Sequence, residues 1–570
     1  MGVTDAMIIH HVGQHFSPSI LRNFGVSYLF DKNVMSVLIF NCKITLIAVG
    51  SLIAVCVCIG WVLICQRKVI TEGKTGWLPI FSVALLSLML GGWVFNEKAS
   101  SWVITHPPEV YFAKDLFGLS ETPAPKIEEA TIDLMRKGFS LSSQWGWKGK
   151  KYPLVRVSES SRVNSSSKKI NEPPDILIIA VESLRAESLG FLNAADSNSL
   201  TPNLDNLAKQ GVAFPNFISN GFPSDPGFFS IHTSIWPHRS KIINSDFASI
   251  QFDSLPLRLK KFGYHRMGFW GGAPNKVGQL AWGKKWYDEI LTSENNKEGL
   301  HFSDAEFFQR FIKGVEEHDQ KETGKPFFAY LANKGTHPSY ETRGFYYATK
   351  EQKEEAAKFD TEKVENVQLR YNNVLQLVDL QIGKLVEFLK KRERWNNTVI
   401  IIVGDHSNIT TELETTHLAL PIDKYVWTGG LIYGPLRLVG PTPRREEFPA
   451  SQVDILPTVI EMLGDKRPFV SLGTNLFADL PAEKRTAVAL RPGGVRMDRG
   501  KYSLYVDSTN PDRFWWNRAH TSQELLPGNH PESPFTPQDA AKLFENIRYA
   551  SYLVENDRIW DDKFFKTVGK

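Results

Sequence analysis

The stretch Asp175–Val181, DILIIAV, decides the fold. It is apolar after its first residue, as expected for a strand that is buried on both faces of a parallel sheet. Thr398–Val403 (TVIIIV) has the same character, and Phe327–Leu331 (FFAYL) is predicted to be a third strand. Val374–Arg392 carries apolar residues at helical spacing. Strands alternating with helices predict a doubly wound, mostly parallel α/β sheet that is flanked by helices.

The overall composition excludes several classes of protein. The 570 residues include 66 Lys and Arg against 62 Asp and Glu, a net charge of +4, which does not suit a dedicated nucleic-acid binder. The four cysteines all lie between Cys42 and Cys65. A disulfide scaffold and a four-cysteine zinc site are therefore both excluded, and the rest of the chain must hold any metal with carboxylate, imidazole or hydroxyl groups.

Two uncharged apolar runs predict a membrane anchor of two transmembrane helices. Ile44–Cys65 and Trp77–Phe95 are each long enough to span a bilayer. The loop between them carries three basic residues and one acidic residue, which places it in the cytoplasm and both flanks outside. The alternative is a pair of buried core helices. Because no cysteine follows the second run, we expect a bacterial inner-membrane, multi-pass protein whose larger part is periplasmic.

These features predict five segments along the chain. They are an N-terminal extracytoplasmic segment (1–43), the two transmembrane helices (44–95), a connecting helix with a Ser-rich linker (96–172), the α/β catalytic domain (173–465) and its C-terminal extension (466–570).

Two of the buried strands run directly into acidic residues. Glu182 follows the first strand, and Asp405 and His406 follow the strand that begins at Thr398. A buried carboxylate is costly unless it is paired or bound to a metal ion, so these residues predict a divalent-metal site. In the alternative interpretation, Asp405 caps the next helix and His406 is a satisfied core histidine.

A third segment predicts the nucleophile. In Asn220–Arg239, NGFPSDPGFFSIHTSIWPHR, Ser224 lies between two prolines ahead of a helical run. Such a turn leaves free N–H groups at a helix N-terminus, where an anion can bind. Ser224 is therefore a candidate nucleophile activated by a metal ion. The alternative is an ordinary Ser-Pro turn.

Five segments together resemble the alkaline phosphatase superfamily, in its sulfatase and lipoteichoic acid synthase branch. The resemblance covers residues 174–464 and implies the fold of that family. It also implies a substrate-binding role for His337. The five segments are DILIIAVESLRAESLG from Asp175, TPNLDNLAKQGVAFPNFIS from Thr201, PFFAYLANKGTHPSY from Pro326, NNTVIIIVGDHS from Asn396 and SQVDILPTVIEMLG from Ser451.

Two departures from the sulfatase pattern favour the synthase side of the branch. Sulfatases carry paired aspartates after the first strand, whereas Glu182 is followed here by Ser183. Their formylglycine motif, Cys/Ser-x-Pro-x-Arg, has Phe228 in the place of Arg. The synthase branch usually has Thr where this chain has Ser224, and its common form has about five membrane spans.

The resemblance therefore implies a phosphoglycerol or phosphoethanolamine transferase. It would take a head group from a membrane phospholipid and pass it to a glycan or glycerophosphate acceptor. The alternatives are a sulfuric or phosphoric ester hydrolase of the cell envelope and a catalytically silent lipid-binding regulator.

The site expected from the resemblance holds one divalent metal ion, Mn²⁺, Mg²⁺ or Zn²⁺. The predicted metal ligands are Glu182, Ser224, Asp405 and His406, with Ser224 also the catalytic nucleophile. The predicted substrate-binding residues are His337, His417, Trp282 and Arg266, with Arg491 a weaker candidate.

Overall fold

The structure is a computed structural model, and the part of the chain that it describes forms one compact unit within Pro123–Lys570. It describes residues 145–159, 172–193, 199–410 and 420–561 together with Ile132 and Arg136, apart from short gaps at 242, 248, 273, 275–278, 296–297, 299, 343, 360, 363, 492 and 522–523. The predicted segments 1–43 and 44–95 lie outside the described residues. Within the described ranges, no helix is both long enough and apolar enough to cross a membrane.

A central sheet of eight strands organises residues 175–445. The strands are β1 (Asp175–Val181), β2 (Val212–Phe214), β3 (His265–Trp270), β4 (Glu289–Leu291), β5 (Phe327–Ala332), β6 (Thr398–Gly404), β7 (Gly430–Tyr433) and β8 (Arg444–Arg445). Their spatial order is β8-β2-β7-β6-β1-β5-β3-β4. All neighbours pair in parallel except those of β7, which is antiparallel to both β6 and β2. The predicted α/β sheet is confirmed, and β7 makes it a mixed one.

The strand β1 is buried on both faces because its alternate side chains enter two separate cores. Ile176, Ile178 and Ala180 belong to one apolar cluster. Leu177, Ile179 and Val181 belong to the other. This explains why the sequence of β1 is a continuous apolar run instead of an alternating one.

Helices cover both faces of the sheet. The principal helices are α1 (Pro202–Ala208), α2 (Ser224–Thr233), α3 (Gln279–Trp286), α4 (Asp304–Lys321), α5 (Val367–Lys390), α6 (Ile455–Met462) and α7 (Pro537–Glu555). Residues of α4 and α5 pack in the same core as Leu177. Residues of α2, α6 and α7 pack in the core of Ile176. The shorter helices are Ile243–Asp246, Leu255–Lys260, Lys350–Ala356, Asp423–Val426 and Leu436–Val439.

The residues after 465 include a second sheet, which is an antiparallel meander. Its strands are β9 (Thr486–Arg491), β10 (Gly494–Arg499), β11 (Tyr502–Asp507), β12 (Phe514–Arg518) and β13 (Leu526–Pro527). Helix α7 packs against it. The backbone N–H of Leu490 donates to the Asn220 carbonyl oxygen at 2.9 Å, which joins this sheet to the segment that leads into α2.

Three small sheets complete the described part of the fold. Trp145–Trp147, Val155–Ser158 and Phe469–Val470 form one, and His301–Phe302 with Phe345–Tyr346 and Phe217–Ile218 with Ala450–Ser451 form the other two.

Candidate active site

Two carboxylates meet because β1 and β6 are parallel and end at the same level. The pairing runs in register from Asp175 with Thr398 to Val181 with Gly404. The next residues are Glu182 and Asp405, and each is only 6% exposed. The backbone N–H of Ser183 donates to Asp405 Oδ1 at 2.9 Å, so the two strand ends are linked directly.

The turn after Glu182 has a left-handed residue at its centre. Ser183 has a φ of 51°, a conformation that costs a residue with a side chain on the order of 1 kcal/mol. Tyr371 of α5 stabilises the turn, because its hydroxyl donates to the Ser183 carbonyl at 3.2 Å and accepts from the Arg185 N–H at 3.0 Å. The Ser183 hydroxyl donates to Glu182 Oε1 at 2.8 Å and so fixes the direction of that carboxylate.

His406 turns one ring nitrogen towards the two carboxylates. Its Nδ1 lies 2.6 Å from the Ser407 carbonyl oxygen, which can only accept, so Nδ1 carries the proton. In the neutral ring, Nε2 therefore has a free electron pair. Nε2 lies 3.5 Å from Glu182 Oε1 and 3.7 Å from Asp405 Oδ2. Metal-binding histidines are oriented in this way, by a hydrogen bond from the ring nitrogen that does not bind the metal to a carbonyl or carboxylate oxygen.

Ser224 enters the same cluster at the first turn of α2. Its Oγ lies 3.3 Å from His406 Nε2, and it donates to Glu182 Oε2 at 3.5 Å. Ser224 is partly exposed, whereas the three other residues are buried.

A close backbone contact places this helix. A Cβ atom on Gly227 would lie 2.2 Å from the Asp405 carbonyl oxygen, so only glycine allows the approach. Gln452 also holds the end of β6 in place, because its Nε2 donates to the Gly404 and Asp405 carbonyls, each at 2.8 Å.

The charges in the cluster suit a divalent cation. Burial opposes ionisation of Glu182, yet the pKa of Glu182 is lowered overall by the surrounding His337, Lys334 and His406. Burial and the neighbouring Glu182 carboxylate raise the pKa of Asp405. Two carboxylates in one buried site repel each other, and a cation between them removes that repulsion.

The donor set also fits a metal ion. Within the described part of the chain, Glu182, Asp405 and His406 are the one group of His, Cys or acidic residues whose ligand atoms all lie within 4.8 Å of one another. Two carboxylate oxygens, an imidazole nitrogen and the Ser224 hydroxyl are ligands for Zn²⁺, Mn²⁺ or Mg²⁺. These are the four residues that the sequence predicted to bind the metal.

The predicted substrate-binding residues have different positions. His337 is close enough to affect Glu182 electrostatically, and it is half-buried, with Nδ1 donating to the Pro338 carbonyl at 3.1 Å. His417 lies outside the described residues. The Arg491 guanidinium lies 3.8 Å from the centre of the Tyr425 ring and 5.2 Å from the centre of the Phe222 ring.

Two of the predicted contacts are corrected by the structure. Arg266 is level with Phe328 and Ile176 in the sheet, at the opposite end of β1 from Glu182, about 20 Å away along the strand. Its guanidinium is paired with Asp288. Trp282 is 1% exposed and is surrounded by other aromatic rings of the core. Neither side chain can contact a head group at Ser224.

Several residues of the site were missed at the level of sequence. They are Asn333, which accepts from the Glu182 N–H at 2.8 Å, Lys334, Tyr371 and Gln452. Asn333 and Lys334 lie within the segment PFFAYLANKGTHPSY, so their nearness to His337 was the available signal. Gln452 lies within the quoted segment SQVDILPTVIEMLG, so that segment was the available signal for it, whereas no quoted segment includes Tyr371.

Comparison with known proteins assigns this architecture to a family. The family model described as Sulfatase matches residues 174–465, which is just over half of the chain. The multifunctional alkaline phosphatase superfamily protein PehA of Trinickia caryophylli is 22% identical over 422 residues, 55% of this chain and 79% of that protein. The ulvan-active sulfatase of Formosa agariphila is 22% identical over 406 residues, 63% of this chain and 65% of that enzyme.

Two solved structures share the fold. A protein of the alkaline phosphatase superfamily from Vibrio parahaemolyticus superposes with a TM-score of 0.61 at 20% identity, covering 77% of this chain and 99% of the other. The lipoteichoic acid synthase LtaP from Listeria monocytogenes superposes with a TM-score of 0.54 at 16% identity, covering 75% of this chain and 98% of the other.

Proposed function

The chain belongs to the sulfatase family, in the alkaline phosphatase superfamily, and from this premise we propose that it is a membrane-anchored transferase. In this proposal it moves a phosphoglycerol- or phosphoethanolamine-type head group from a phospholipid to a glycan or glycerophosphate acceptor of the bacterial envelope. The reaction passes through a covalent intermediate on Ser224. That the chain is an enzyme of this superfamily, with a candidate site for a divalent metal ion, follows from the family and the site together.

The observation that carries the proposal is the residue after Glu182. A serine stands there, and its hydroxyl donates to Glu182 Oε1 instead of adding a second carboxylate. The donors are therefore Glu182, Asp405, His406 and the Ser224 hydroxyl, a set for a single ion. This composition supports the synthase side of the branch.

The surroundings of Phe228 support an unmodified serine nucleophile. Phe228 occupies the position of the arginine in the formylglycine motif, and it is 1% exposed. Its ring packs against Trp286, His232 and Tyr330. A guanidinium would not fit this apolar cluster without losing its hydration, so the motif lacks its cation for a structural reason.

The residues of the site can carry out both halves of a phosphoryl transfer. Ser224 Oγ forms a bond to phosphorus as the bond to the diacylglycerol oxygen breaks; the nearby Glu182 carboxylate accepts the hydroxyl proton and passes it to the departing oxygen. Lys334 and His337 are placed to hold the phosphate oxygens beside Glu182. An acceptor hydroxyl then attacks the same phosphorus and releases Ser224. A bound divalent ion supplies charge neutralisation, a lower pKa of the serine hydroxyl and polarisation of the phosphoryl oxygen.

Two exposed apolar side chains at the start of α5 support a phospholipid as the substrate that donates the head group. Leu369 is 53% exposed and Val367 is 37% exposed, although both are large hydrophobic side chains. Tyr371, four residues after Val367 and two after Leu369, contacts Ser183, so the start of α5 lies near the turn that follows Glu182. Exposed apolar side chains beside a phosphoryl-transfer centre suit an acyl chain, as do the two apolar runs predicted at 44–95.

Hydrolysis is the second candidate. The same residues can pass a phosphoryl or sulfuryl group to water, and a partly exposed Ser224 leaves room for it. The similarity to an ulvan-active sulfatase favours this candidate.

One experiment distinguishes these functions. The purified full chain with Mn²⁺ is incubated with labelled phosphatidylglycerol and phosphatidylethanolamine, and diacylglycerol is measured together with the mass of the Ser224 peptide. A transferase gives diacylglycerol and a phosphoglycerol or phosphoethanolamine adduct on Ser224, whereas formylglycine at this position indicates a sulfatase.

The matched variants separate chemistry from folding. Ser224→Thr keeps a hydroxyl and should retain turnover, whereas Ser224→Ala should abolish it. The absence of diacylglycerol from every phospholipid tested would refute the transferase. Wild-type function in cells that carry Ser224→Ala would identify a lipid-binding regulator.

A further inference from the structure

Asp304 is a buried carboxylate that the proposed reaction does not use. It begins α4 and is 2% exposed. Its three hydrogen-bond donors are neutral: Asn333 Nδ2 at 3.2 Å, the Gly335 N–H at 3.3 Å and the Lys334 N–H. Burial raises the pKa of Asp304 to about 6. A carboxylate buried without a cation is costly, so its contacts need a reason.

All of these donors belong to the loop that follows β5. The loop carries Lys334 and His337, the two side chains that lie near Glu182. A Cβ atom on Gly335 would lie 1.8 Å from Asp304 Oδ2, so the loop backbone is pressed against the carboxylate. Asp304 therefore holds the backbone of this loop in a fixed position beside the start of α4.

Asn333 extends the contact to the metal ligand. Its Oδ1 accepts from the Glu182 N–H at 2.8 Å, and its Nδ2 donates to Asp304 Oδ1. The carboxylate thus sets which end of the amide faces Glu182, because only the Nδ2 end can donate to it. One hydrogen-bonded path joins the start of α4 to the end of β1.

We propose that Asp304 is a positioning residue that acts through Asn333 and the 333–337 loop to place Lys334, His337 and Glu182 around the phosphate group of the substrate. The inference depends on a phosphate being bound at this site, but not on the phospholipid donor or on the acceptor.

The test is a pair of matched Asp→Asn substitutions. Asp304→Asn replaces one carboxylate oxygen by an amide NH2 group, which cannot accept a hydrogen bond, so one of the three donors loses its acceptor. Asp379→Asn does the same to a 1% exposed carboxylate elsewhere, which accepts from Asn203 Nδ2 at 2.8 Å and from the N–H groups of Asn203 and Leu204 at 3.0 and 2.9 Å. Both variants lose the same kinds of hydrogen bond, so both should lower Tm by similar amounts.

Only the first variant should change phosphate binding. The dissociation constant of inorganic phosphate, measured by calorimetry on the full chain with Mn²⁺, should rise about tenfold in Asp304→Asn and less than twofold in Asp379→Asn. With an aryl phosphodiester, KM should rise by a similar factor in Asp304→Asn, with a smaller change in kcat. Lys334→Ala sets the size of the effect when the cation itself is lost.

Asn333→Ala decides the question if Asp304→Asn does not fold, because it breaks the path and leaves the two backbone contacts of Asp304. It should weaken phosphate binding by a similar factor. Phosphate affinities within twofold of the wild type in Asp304→Asn, or in Asn333→Ala in its place, would make Asp304 a structural residue only. A wild-type protein that binds no phosphate would also overturn the inference. A failure of phospholipid turnover alone would refute the transferase and leave this inference standing.

Discussion

Gly227 lies where α2 contacts the end of β6, so replacing it tests how tightly the candidate nucleophile Ser224 is placed. A Cβ atom on Gly227 would lie 2.2 Å from the Asp405 carbonyl oxygen and 3.0 Å from Gln452 Nε2. The nearest atom belongs to the backbone and cannot rotate away. The first turn of α2 must therefore move by about 1 Å to restore an ordinary van der Waals contact.

This movement reaches the candidate nucleophile directly. Ser224 begins the same turn, with Oγ 3.3 Å from His406 Nε2. A displacement of about 1 Å at a reacting group lowers the rate on the order of 100-fold. We expect Gly227→Ala to lower kcat on an aryl phosphodiester by about that factor. Overpacking costs about 1–3 kcal/mol of stability, so the variant should still fold.

Gly314→Ala is the matched control, because Gly314 also lies in a helix, α4. The nearest atom to a Cβ there is Phe269 Cζ at 3.3 Å, the end of a ring that can shift. Alanine favours a helix by about 1 kcal/mol over glycine, so this control should keep its activity and its Tm. Measurement of kcat, KM and Tm for both variants completes the test. A kcat for Gly227→Ala within threefold of the wild type, with a lowered Tm, would refute the reasoning.

Three further predictions concern stability and metal binding. Asp175→Ala removes a fully buried partner of Arg392 and Arg394, so it should lower the free energy of unfolding by about 3–5 kcal/mol in urea titrations. The affinity for Mn²⁺ should not change, because Asp175 lies at the opposite end of β1 from Glu182. Burial lowers the pKa of His232 to about 3, so the unfolded chain takes up a proton below pH 6.5 while the native state does not. The free energy of unfolding should thus fall by about 2 kcal/mol from pH 6.5 to pH 5, and His232→Gln should remove that part; an unchanged pH dependence in this variant would contradict it. Mn²⁺ at a hundred times its Kd should stabilise the protein by about 2.7 kcal/mol, and Glu182→Gln should lose most of the resulting rise in Tm.

The sheet was predictable because its two central strands, β1 and β6, are almost entirely apolar. Strands β1 and β6 have no charged residue between their first residue and their end, so burial on both faces was the natural interpretation. The antiparallel β7 was not predictable, because its few residues, GLIY, suit a buried strand of either direction. The meander of β9 to β13 was missed, since its strands carry aromatic and charged residues together.

That the four candidate metal ligands would lie together was predictable for the same reason, since each follows a strand or begins a helix that the sequence marks. The hydrogen bonds that hold these residues in place were not predictable. Glu182 is bound to Asn333 and Ser183 to Tyr371, contacts that span 151 and 188 residues of the chain. Arg266 and Trp282 were wrong because a composition suited to binding says nothing about which end of a strand, or which side of a helix, a residue occupies.

The segment matched by the family ends at residue 465, yet the wall of the site includes residues beyond it. Arg491, at the end of β9, lies against Tyr425 and Phe222, and the Phe222 ring packs on the His406 ring at 4.8 Å. Phe222 stands two residues before the candidate nucleophile Ser224, and its ring joins Arg491 of the C-terminal sheet to His406, a candidate metal ligand. A buried guanidinium close to an aromatic ring contributes up to about 2 kcal/mol, so these contacts can help to hold Phe222 in place. The meander is therefore linked to the candidate active site through the contacts of Arg491 with Phe222 and of Phe222 with His406.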